Sequence, residues 1–163
     1  MLNFEELYHA HAADVYRFAF WLAGDAARAD DITSETFVRA WAGKSVIRTE
    51  TLKAYLFTIA RNVYLEQQRK EARQVVLEDV YPDGRPDPEK IAELRQELQM
   101  VWSVLQTIPE VDRTAFILRV QQELPYAEIA RVLELSLSAV KVKVHRVRKK
   151  LIMMQLEERR EVS

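Results

Sequence analysis

Helix-breaking residues are few in this chain and lie only between segments with helical periodicity. The three glycines, Gly24, Gly43 and Gly84, fall between amphipathic stretches, and none of the five prolines falls inside one. The composition, 48% hydrophobic and 30% charged, is typical of a chain that folds. This punctuation predicts seven helices and an all-α fold.

Three amphipathic helices are predicted before the first proline. The first runs from about residue 3 to 23, the second from its N-cap Asp25 to about 42, and the third from about 51 to 73. The apolar face of the first helix consists of Phe4, Leu7, Val15, Phe18 and Leu22. The third helix carries a single apolar stripe of Leu52, Leu56, Ile59 and Val63. We expect these helices to form one small domain, residues 1–73.

A flexible linker rich in prolines and acids is predicted at residues 74–87. Pro82, Gly84 and Pro86 break any helix there, and the acids keep the segment in water. Between Gln74 and Met100 there are seven acids against three bases. The linker separates the first domain from a second small helical domain, residues 88–163.

Two helices are predicted directly after the linker. Asp87 as N-cap and Pro88 at the first helical position open one that extends to about residue 105. Thr107 and Glu110 have the spacing of a capping box and start the next, which ends near residue 121.

The last two helices have the pattern of a helix-turn-helix at about residues 125–151. A short helix begins with Pro125 in its first turn and ends at Leu133, and a tight connection leads to Ser136, which caps a long helix reaching about residue 157. The apolar residues expected to pack between them are Ile129, Ala130, Leu133, Val140 and Val144. The small side chain of Ala130 permits a close crossing of the two helices.

Charge is strongly segregated along the chain, although the net charge is only -1. Between Ser136 and Leu151 there are six Lys or Arg and no acid. A basic helix of this width fits the major groove of B-form DNA. A solvated or protein-binding basic helix is the alternative, and the N-cap with the preceding short helix favours DNA binding.

Three blocks of the sequence resemble bacterial sigma factors of the extracytoplasmic function type, which direct RNA polymerase to promoters. Residues 30–41, DDITSETFVRAW, resemble region two, and residues 52–65, LKAYLFTIARNVYL, followed by Arg69, resemble the next block. Residues 128–151 resemble region four. Many regulators share a helix-turn-helix of this kind, so the first-domain blocks decide the resemblance. The resemblance implies an adaptor without catalytic activity.

The resemblance implies a docking surface for core RNA polymerase on the second helix. In the family, this acidic segment docks on the clamp helices of the largest polymerase subunit. The residues assigned to it are Asp30, Asp31, Glu35 and Arg39. The alternative role of the acids is to complement a helix N-terminus. Phe37 and Trp41 are expected to be mostly core.

The resemblance also implies a surface that recognises and opens the minus-ten promoter element. The matching residues are Lys44, Ser45, Arg48, Lys53, Tyr55, Arg61 and Asn62. A protein without a fuel source opens DNA by binding the single strand better than the duplex, through base pockets, stacking and cationic contacts. Tyr55 fits either this surface or the core, whereas Leu56, Ile59 and Val63 are expected in the core.

The last helix matches the part of the family that reads the minus-thirty-five element. Base contacts are expected from Lys141, Val142, His145 and Arg146, and phosphate contacts from Lys143, Arg148 and Lys149, with Ser136 and Ser138 beside them. The family often has Ser at the position of Val142. An apolar contact with a thymine methyl is expected to replace the hydroxyl contact there.

Two further features follow from the resemblance. The acidic linker is expected to thread through the polymerase toward the active-site channel, where a negative chain imitates RNA. An anti-sigma protein that covers the docking and promoter-binding surfaces is expected as a second partner.

Other classes of function fit the sequence less well. The histidines are His9, His11 and His145, Cys is absent and no glycine-rich phosphate loop occurs, so no enzyme activity, cofactor or metal site is expected. The acidic N-terminus and the lack of a long apolar run predict a cytoplasmic protein without membrane insertion. Two alternatives stay open: a stand-alone helix-turn-helix regulator, and an adaptor whose basic helix binds an acidic protein.

Overall fold

The computed structural model describes residues 3–43, 52–78 and 96–162, which form seven α-helices and no strand. The helices are α1 Phe4–Ala23, α2 Ala26–Ala42, α3 Leu52–Glu78, α4 Gln96–Gln106, α5 Glu110–Phe116, α6 Tyr126–Leu133 and α7 Leu137–Val162; a π-helical turn, Ile117–Gln121, continues α5. The predicted all-α fold is therefore confirmed. The chain divides into two compact units, Met1–Glu93 and Leu94–Ser163.

The first unit is a lobe in which α1, α2 and α3 pack against one another. Of the apolar face predicted for α1, Leu7, Val15, Phe18 and Leu22 are buried, whereas Phe4 is 39% exposed. The ring centroids of Phe18 and Phe57 lie 5.1 Å apart in the core. Phe37 is buried, as expected. Trp41 was expected in the core, but 36% of it is exposed because it lies in the last turn of α2, where its ring packs edge-on against Phe4.

The third helix differs from the prediction in two details. It ends at Glu78 rather than near Arg73. Leu56 and Val63 are buried as expected, whereas Ile59 is only half-buried. The predicted apolar stripe is therefore correct, but Ile59 lies at its margin.

Side-chain caps define the starts of α1 and α2. The Asn3 side chain accepts a hydrogen bond from the Glu6 N–H at 2.8 Å, and the Glu6 carboxylate accepts one from the Asn3 N–H at 3.3 Å. Asp25 is the N-cap of α2, as predicted, and accepts the Ala27 N–H at 2.7 Å. Gly24, with φ 73°, ends α1 in the left-handed conformation, which costs glycine little. These features fix a sharp turn between α1 and α2.

In the second unit, α5 and α6 pack against α7. Trp102 of α4 and Leu118 of the π-helical turn are fully buried in this unit's core. The predicted contact surface of the last two helices is also buried, comprising Ile129 and Leu133 of α6 and Val140 and Val144 of α7. Ala130 is half-buried beside them.

A buried arginine ties the end of α4 to α5. Arg113 is 6% exposed, and its Nη1 donates to the carbonyl oxygens of Leu105 at 3.5 Å and Ile108 at 3.4 Å. These acceptors belong to the last turn of α4 and the residues after it, where helical carbonyls lack partners within the helix. Arg113 therefore has a structural role.

The capping box predicted for α5 does not form. Pro109 occupies the N-cap position, and α5 begins at Glu110, so Thr107 lies outside the helix start. The Thr107 hydroxyl instead donates to the Val104 carbonyl at 2.7 Å, and the Glu110 carboxylate accepts from the Thr114 hydroxyl at 2.8 Å. The capping box required Ile108 and Pro109 to be the first two residues of the helix, but proline disfavours the helical conformation of the residue before it, and Pro109 itself is extended with ψ 143°.

The connection between α6 and α7 is short. Pro125 is the N-cap of α6 rather than a residue of its first turn. Glu134 ends α6 in the left-handed conformation, with φ 55°. Ser136 caps α7, as predicted, by accepting the Ala139 N–H at 3.1 Å. The C-terminal residues extend α7 to Val162, and no helix in the described ranges has the length and apolar content needed to cross a membrane.

Candidate functional site

A groove lies between α2 and α3 on the surface of the first unit. Its lining residues are Asp31, Ser34, Glu35, Val38 and Arg39 of α2, and Val63, Glu66, Gln67 and Lys70 of α3. Val38 is 60% exposed, so an apolar side chain stands among charged ones. An apolar residue surrounded by charges is typical of a protein-docking surface.

Arg39 joins two carboxylates across this groove. Its Nη1 and Nη2 donate to the two carboxylate oxygens of Glu66 at 3.0 and 2.6 Å, and its Nε donates to Glu35 at 2.9 Å. The hydrogen bond from Arg39 holds the pKa of the Glu66 carboxyl below its ordinary value, and the bonds to Glu66 and Glu35 raise the pKa of Arg39. The Glu66 carboxylate is thereby kept charged, and the hydrogen bonds fix both carboxylates in place.

The residues predicted to dock on polymerase occupy different positions around the groove. Asp31 and Glu35 line it, whereas Asp30 is exposed on α2 outside the lining. Arg39 lines it as well, but its guanidinium is engaged by the two carboxylates described above. Sequence reasoning missed Glu66 and the exposed Val38.

The predicted minus-ten residues are only partly within the described part of the chain. Lys44, Ser45 and Arg48 lie outside it. Tyr55 is half-buried, and a Cβ on Gly43 would lie 2.9 Å from its hydroxyl oxygen, so glycine makes room for the ring.

The remaining minus-ten candidates divide between two sides of α3. Asn62 is exposed and lies two turns from Tyr55 on the same face of the helix. Arg61 is half-buried beside it. Lys53 is directed toward α1, where its ammonium lies 3.5 Å from the Asp14 carboxylate. The structure therefore places Tyr55 and Asn62 together and Lys53 apart from them.

The first half of α7 presents a basic face to solvent. Val140, Val144 and Val147 point into the core at 0–2% exposure, which leaves the intervening residues outside. The exposed side chains are Ser138, Lys141, Val142, His145, Arg146, Arg148, Lys149 and Lys150. Their arrangement gives a polar, cationic ridge with one exposed apolar residue, Val142, which is 47% exposed.

Two of the predicted minus-thirty-five residues have additional structural contacts. The Lys143 ammonium lies 2.9 Å from the Asp112 carboxylate of α5, and both side chains are less than a quarter exposed. Ser136 is exposed, but its hydroxyl oxygen already caps α7. The exposed cations of the basic face are consequently Lys141, Arg146, Arg148, Lys149 and Lys150.

Sequence reasoning also missed two residues next to this face. The guanidinium carbon of Arg119 lies 4.2 Å from the centroid of the Tyr126 ring, and the Lys141 ammonium lies 5.7 Å from the same centroid. Arg119, Tyr126 and Lys141 belong to three separate elements, the π-helical turn, α6 and α7, so their separation in sequence does not indicate a contact. Only the packed structure brings them together.

Two family models match the two units. The model for Sigma-70 region 2 matches residues 7–74, and the model for Sigma-70, region 4 matches residues 98–151. The groove between α2 and α3 and the basic face of α7 therefore lie in two separate regions of a sigma-70-type protein.

Similarity to individual proteins identifies the sigma factor family more narrowly than the two family models do. The chain is 32% identical over 159 residues to the ECF RNA polymerase sigma factor SigE of Mycolicibacterium smegmatis, an alignment covering 93% of this chain and 61% of SigE, so the chain spans about three fifths of that relative's length. It is 34% identical over 141 residues to the ECF RNA polymerase sigma factor EcfG of Rhodopseudomonas palustris, covering 82% and 75% of the two proteins. The chain belongs to the ECF family of RNA polymerase sigma factors.

A solved structure has a similar fold. It is that of the sigma factor RpoE in complex with the anti-sigma factor NepR from Bartonella quintana. The TM-score is 0.78 at 27% sequence identity, and the match covers 91% of this chain and 93% of that chain.

Proposed function

We propose that this chain binds core RNA polymerase, directs it to promoters and opens the promoter DNA, with no catalytic activity of its own. The observation that carries the proposal is the pairing of an acidic docking groove in region 2 with a cationic face on the last helix of region 4. Acidic groups repel DNA phosphates and suit a basic protein surface, whereas the cationic face suits DNA. An adaptor between polymerase and DNA needs both surfaces.

In this proposal, the groove between α2 and α3 is the docking site for polymerase. Asp31, Glu35 and Glu66 supply the negative charge, and Val38 supplies the apolar contact at the centre. Arg39 holds Glu35 and Glu66 rather than pairing with polymerase. Asp30 lies on the same helix and contributes at the margin.

The minus-ten surface is proposed to lie on α3 and in the segment before it. Tyr55 offers a ring for stacking on an unpaired base, and Asn62 and Arg61 offer groups for the strand. Lys44, Ser45 and Arg48 belong to the proposal on the family resemblance alone. Lys53, because of its contact with Asp14, is assigned a supporting role.

The basic face of α7 is proposed to read the minus-thirty-five element in the major groove. Lys141, Val142, His145 and Arg146 form the base-contacting row, with Val142 placed against a thymine methyl. Arg148 and Lys149 contact phosphates, and Ser138 is proposed to contact DNA from the first turn of the helix, about 15 Å away. Lys143 contributes through its pairing with Asp112, which fixes α7 on α5.

Regulation and location follow from the same proposal. A sigma factor in a solved complex with an anti-sigma factor shares the fold, which supports an anti-sigma partner for this chain. The acidic segment that follows α3, within the linker predicted at residues 74–87, is proposed to thread toward the polymerase active-site channel. The protein would act in the cytoplasm, where polymerase and DNA are found.

Run-off transcription with bacterial core polymerase on a promoter library tests the function directly. The protein is expected to give core polymerase new start sites. Asp31→Lys should abolish binding to core, because it removes one of the three carboxylates that line the groove and leaves three cations against two acids. Arg146→Ala should keep core binding and lose promoter choice, with a cost of about 1–3 kcal/mol at the contacted base pair.

A charge reversal elsewhere in the same unit provides the matched control. Glu5→Lys changes an exposed acid on α1, which does not line the groove, and should leave core binding unchanged. If core polymerase neither binds the protein nor changes its start sites, the proposal is wrong. Tight binding of the isolated protein to duplex sites would then favour a stand-alone regulator.

A further inference from the structure

The ring of Tyr126 lies next to two cations from different parts of the second unit. The guanidinium carbon of Arg119 lies 4.2 Å from the ring centroid, within the range of a cation–π contact. The Lys141 ammonium lies 5.7 Å from the same centroid. One aromatic side chain therefore links the π-helical turn after α5 to the first turns of α7.

The ring has a fixed position on the structure. Tyr126 is the first residue of α6 and directly follows Pro125, whose φ of -59° is set by its own ring. Arg119 is anchored as well, since its Nη1 donates to the Leu124 carbonyl at 3.1 Å. Tyr126 is thus held by its backbone and by a guanidinium that is itself hydrogen-bonded.

Of Arg119, Tyr126 and Lys141, Lys141 has the exposed and flexible side chain. It is exposed on α7, where its flexible four-carbon stem can direct the ammonium to many positions. Holding such a side chain on DNA costs conformational entropy, and that cost falls if the free protein already favours the bound position. A ring that attracts the ammonium provides this preorganisation.

We propose that Tyr126, supported by Arg119, is a positioning residue that holds Lys141 in the orientation with which it contacts promoter DNA. The inference rests on the proposed function, because it takes the basic face of α7 as the surface that meets DNA. The ring acts through the lysine. Its hydroxyl and its own contact with DNA are not required.

A double-mutant cycle tests this role, with promoter binding measured for the complex of this protein with core polymerase. Tyr126→Leu is expected to weaken promoter binding about two- to fivefold, the equivalent of one exposed cation–π contact. In a Lys141→Ala background the same change should have no further effect, because the lysine it positions is gone. Tyr126→Phe keeps the ring and should bind like the original protein.

Lys149 provides the matched control for the cycle. It is exposed on the same helix and lies two turns beyond Lys141. In a Lys149→Ala background, Tyr126→Leu should keep its full two- to fivefold effect. Additive effects of Tyr126→Leu and Lys141→Ala, or a Tyr126→Phe variant as weak as Tyr126→Leu, would overturn the proposal in favour of a direct tyrosine contact with DNA.

A measurement on the free protein separates this inference from the proposed function. The aromatic ring should displace the NMR signal of the Lys141 ε-methylene from those of Lys149 and Lys150, and Tyr126→Leu should remove the displacement. A Lys141 signal that does not respond to Tyr126→Leu overturns the positioning role. Failure of the original protein to direct core polymerase overturns the proposed function instead.

Discussion

Glu134 adopts a backbone conformation that residues other than glycine seldom adopt. With φ 55° and ψ 45° it ends α6 and allows the Leu135 N–H to donate to the Ala130 carbonyl at 3.0 Å. A Cβ in this left-handed conformation costs about 1–2 kcal/mol. The connection between the two helices of the helix-turn-helix is therefore strained at one residue.

Replacing this residue with glycine should stabilise the second unit. Glu134→Gly is expected to raise the free energy of unfolding by about 0.5–1 kcal/mol, because relief of the Cβ clash exceeds the added freedom of glycine in the unfolded chain. Urea unfolding followed by Trp102 fluorescence, with Trp21 and Trp41 changed to Phe, measures it. Glu134→Ala keeps the Cβ and should bring no such gain; an equal gain in both variants would identify the carboxylate charge as the cause.

At the scale of secondary structure, Arg39 connects α2 to α3. It bonds Glu35 within α2 and Glu66 on α3, so the ion-pair network spans the groove between these helices. Glu35 and Glu66 are each nearly half exposed, which means that solvent and salt weaken the network. Two nitrogens of Arg39 bond the two carboxylate oxygens of Glu66, so the network fixes α2 against α3 more firmly than a single exposed ion pair would.

The network should make the stability of the first unit depend on pH. The pKa of the Glu66 carboxyl is lowered in the folded state, so its contribution is present above the unfolded value of 4.5 and is lost as the pH falls through the folded value. Glu66→Gln should therefore lower the thermal midpoint at pH 7, and the difference from the original protein should close as the pH falls from 4.5 through the folded value.

The partner residue supplies the control for this pH dependence. In an Arg39→Gln background, Glu66→Gln should change the midpoint little at any pH, since the bond between them is already absent. The explanation would be wrong if Glu66→Gln were equally destabilising in both backgrounds.

Local sequence patterns predicted the elements better than their contacts. The N-caps Asp25 and Ser136 were identified correctly because a cap depends on residues only a few positions apart. The capping box of Thr107 and Glu110 was wrong because the conformation of Pro109 moved the helix start. The bond from Arg39 to Glu66 joins residues 27 positions apart, which no periodic pattern reveals.

The basic face of α7 and the contacts around it also show which features local sequence patterns can predict and which they cannot. The outward face of α7 was predictable, since the buried valines recur at helical spacing and leave the cations outside. The contact of Arg119 and Lys141 with one tyrosine ring was not predictable, because three elements contribute to it. The pairing of Lys143 with Asp112 likewise required the packing of α5 on α7.

At the scale of the whole molecule, each of the two units has buried apolar residues of its own. Phe57 is buried in the first unit and Leu118 in the second. Each unit contains its own fluorescent side chains, because Trp21 and Trp41 belong to the first unit and Trp102 to the second. Fluorescence can therefore follow the two units separately.

Core truncations should affect the two units unequally. Phe57→Ala is expected to cost about 3–5 kcal/mol in the first unit and to lower the unfolding midpoint seen by Trp21 and Trp41 more than that seen by Trp102. Leu118→Ala should show the opposite order. Measurements would use one variant with Trp102→Phe and another with Trp21→Phe and Trp41→Phe. Equal shifts of both signals would show that the chain unfolds as one cooperative body.

The Arg39 network has a consequence for how sigma factors share a limited pool of polymerase. The groove proposed for docking takes residues from both α2 and α3, so a chain in which these helices have separated presents scattered carboxylates instead of a groove. Under the proposed function, such a molecule cannot bind core RNA polymerase. Newly made or damaged copies would then not compete with the sigma factors that serve other genes, and only folded copies would count in that competition.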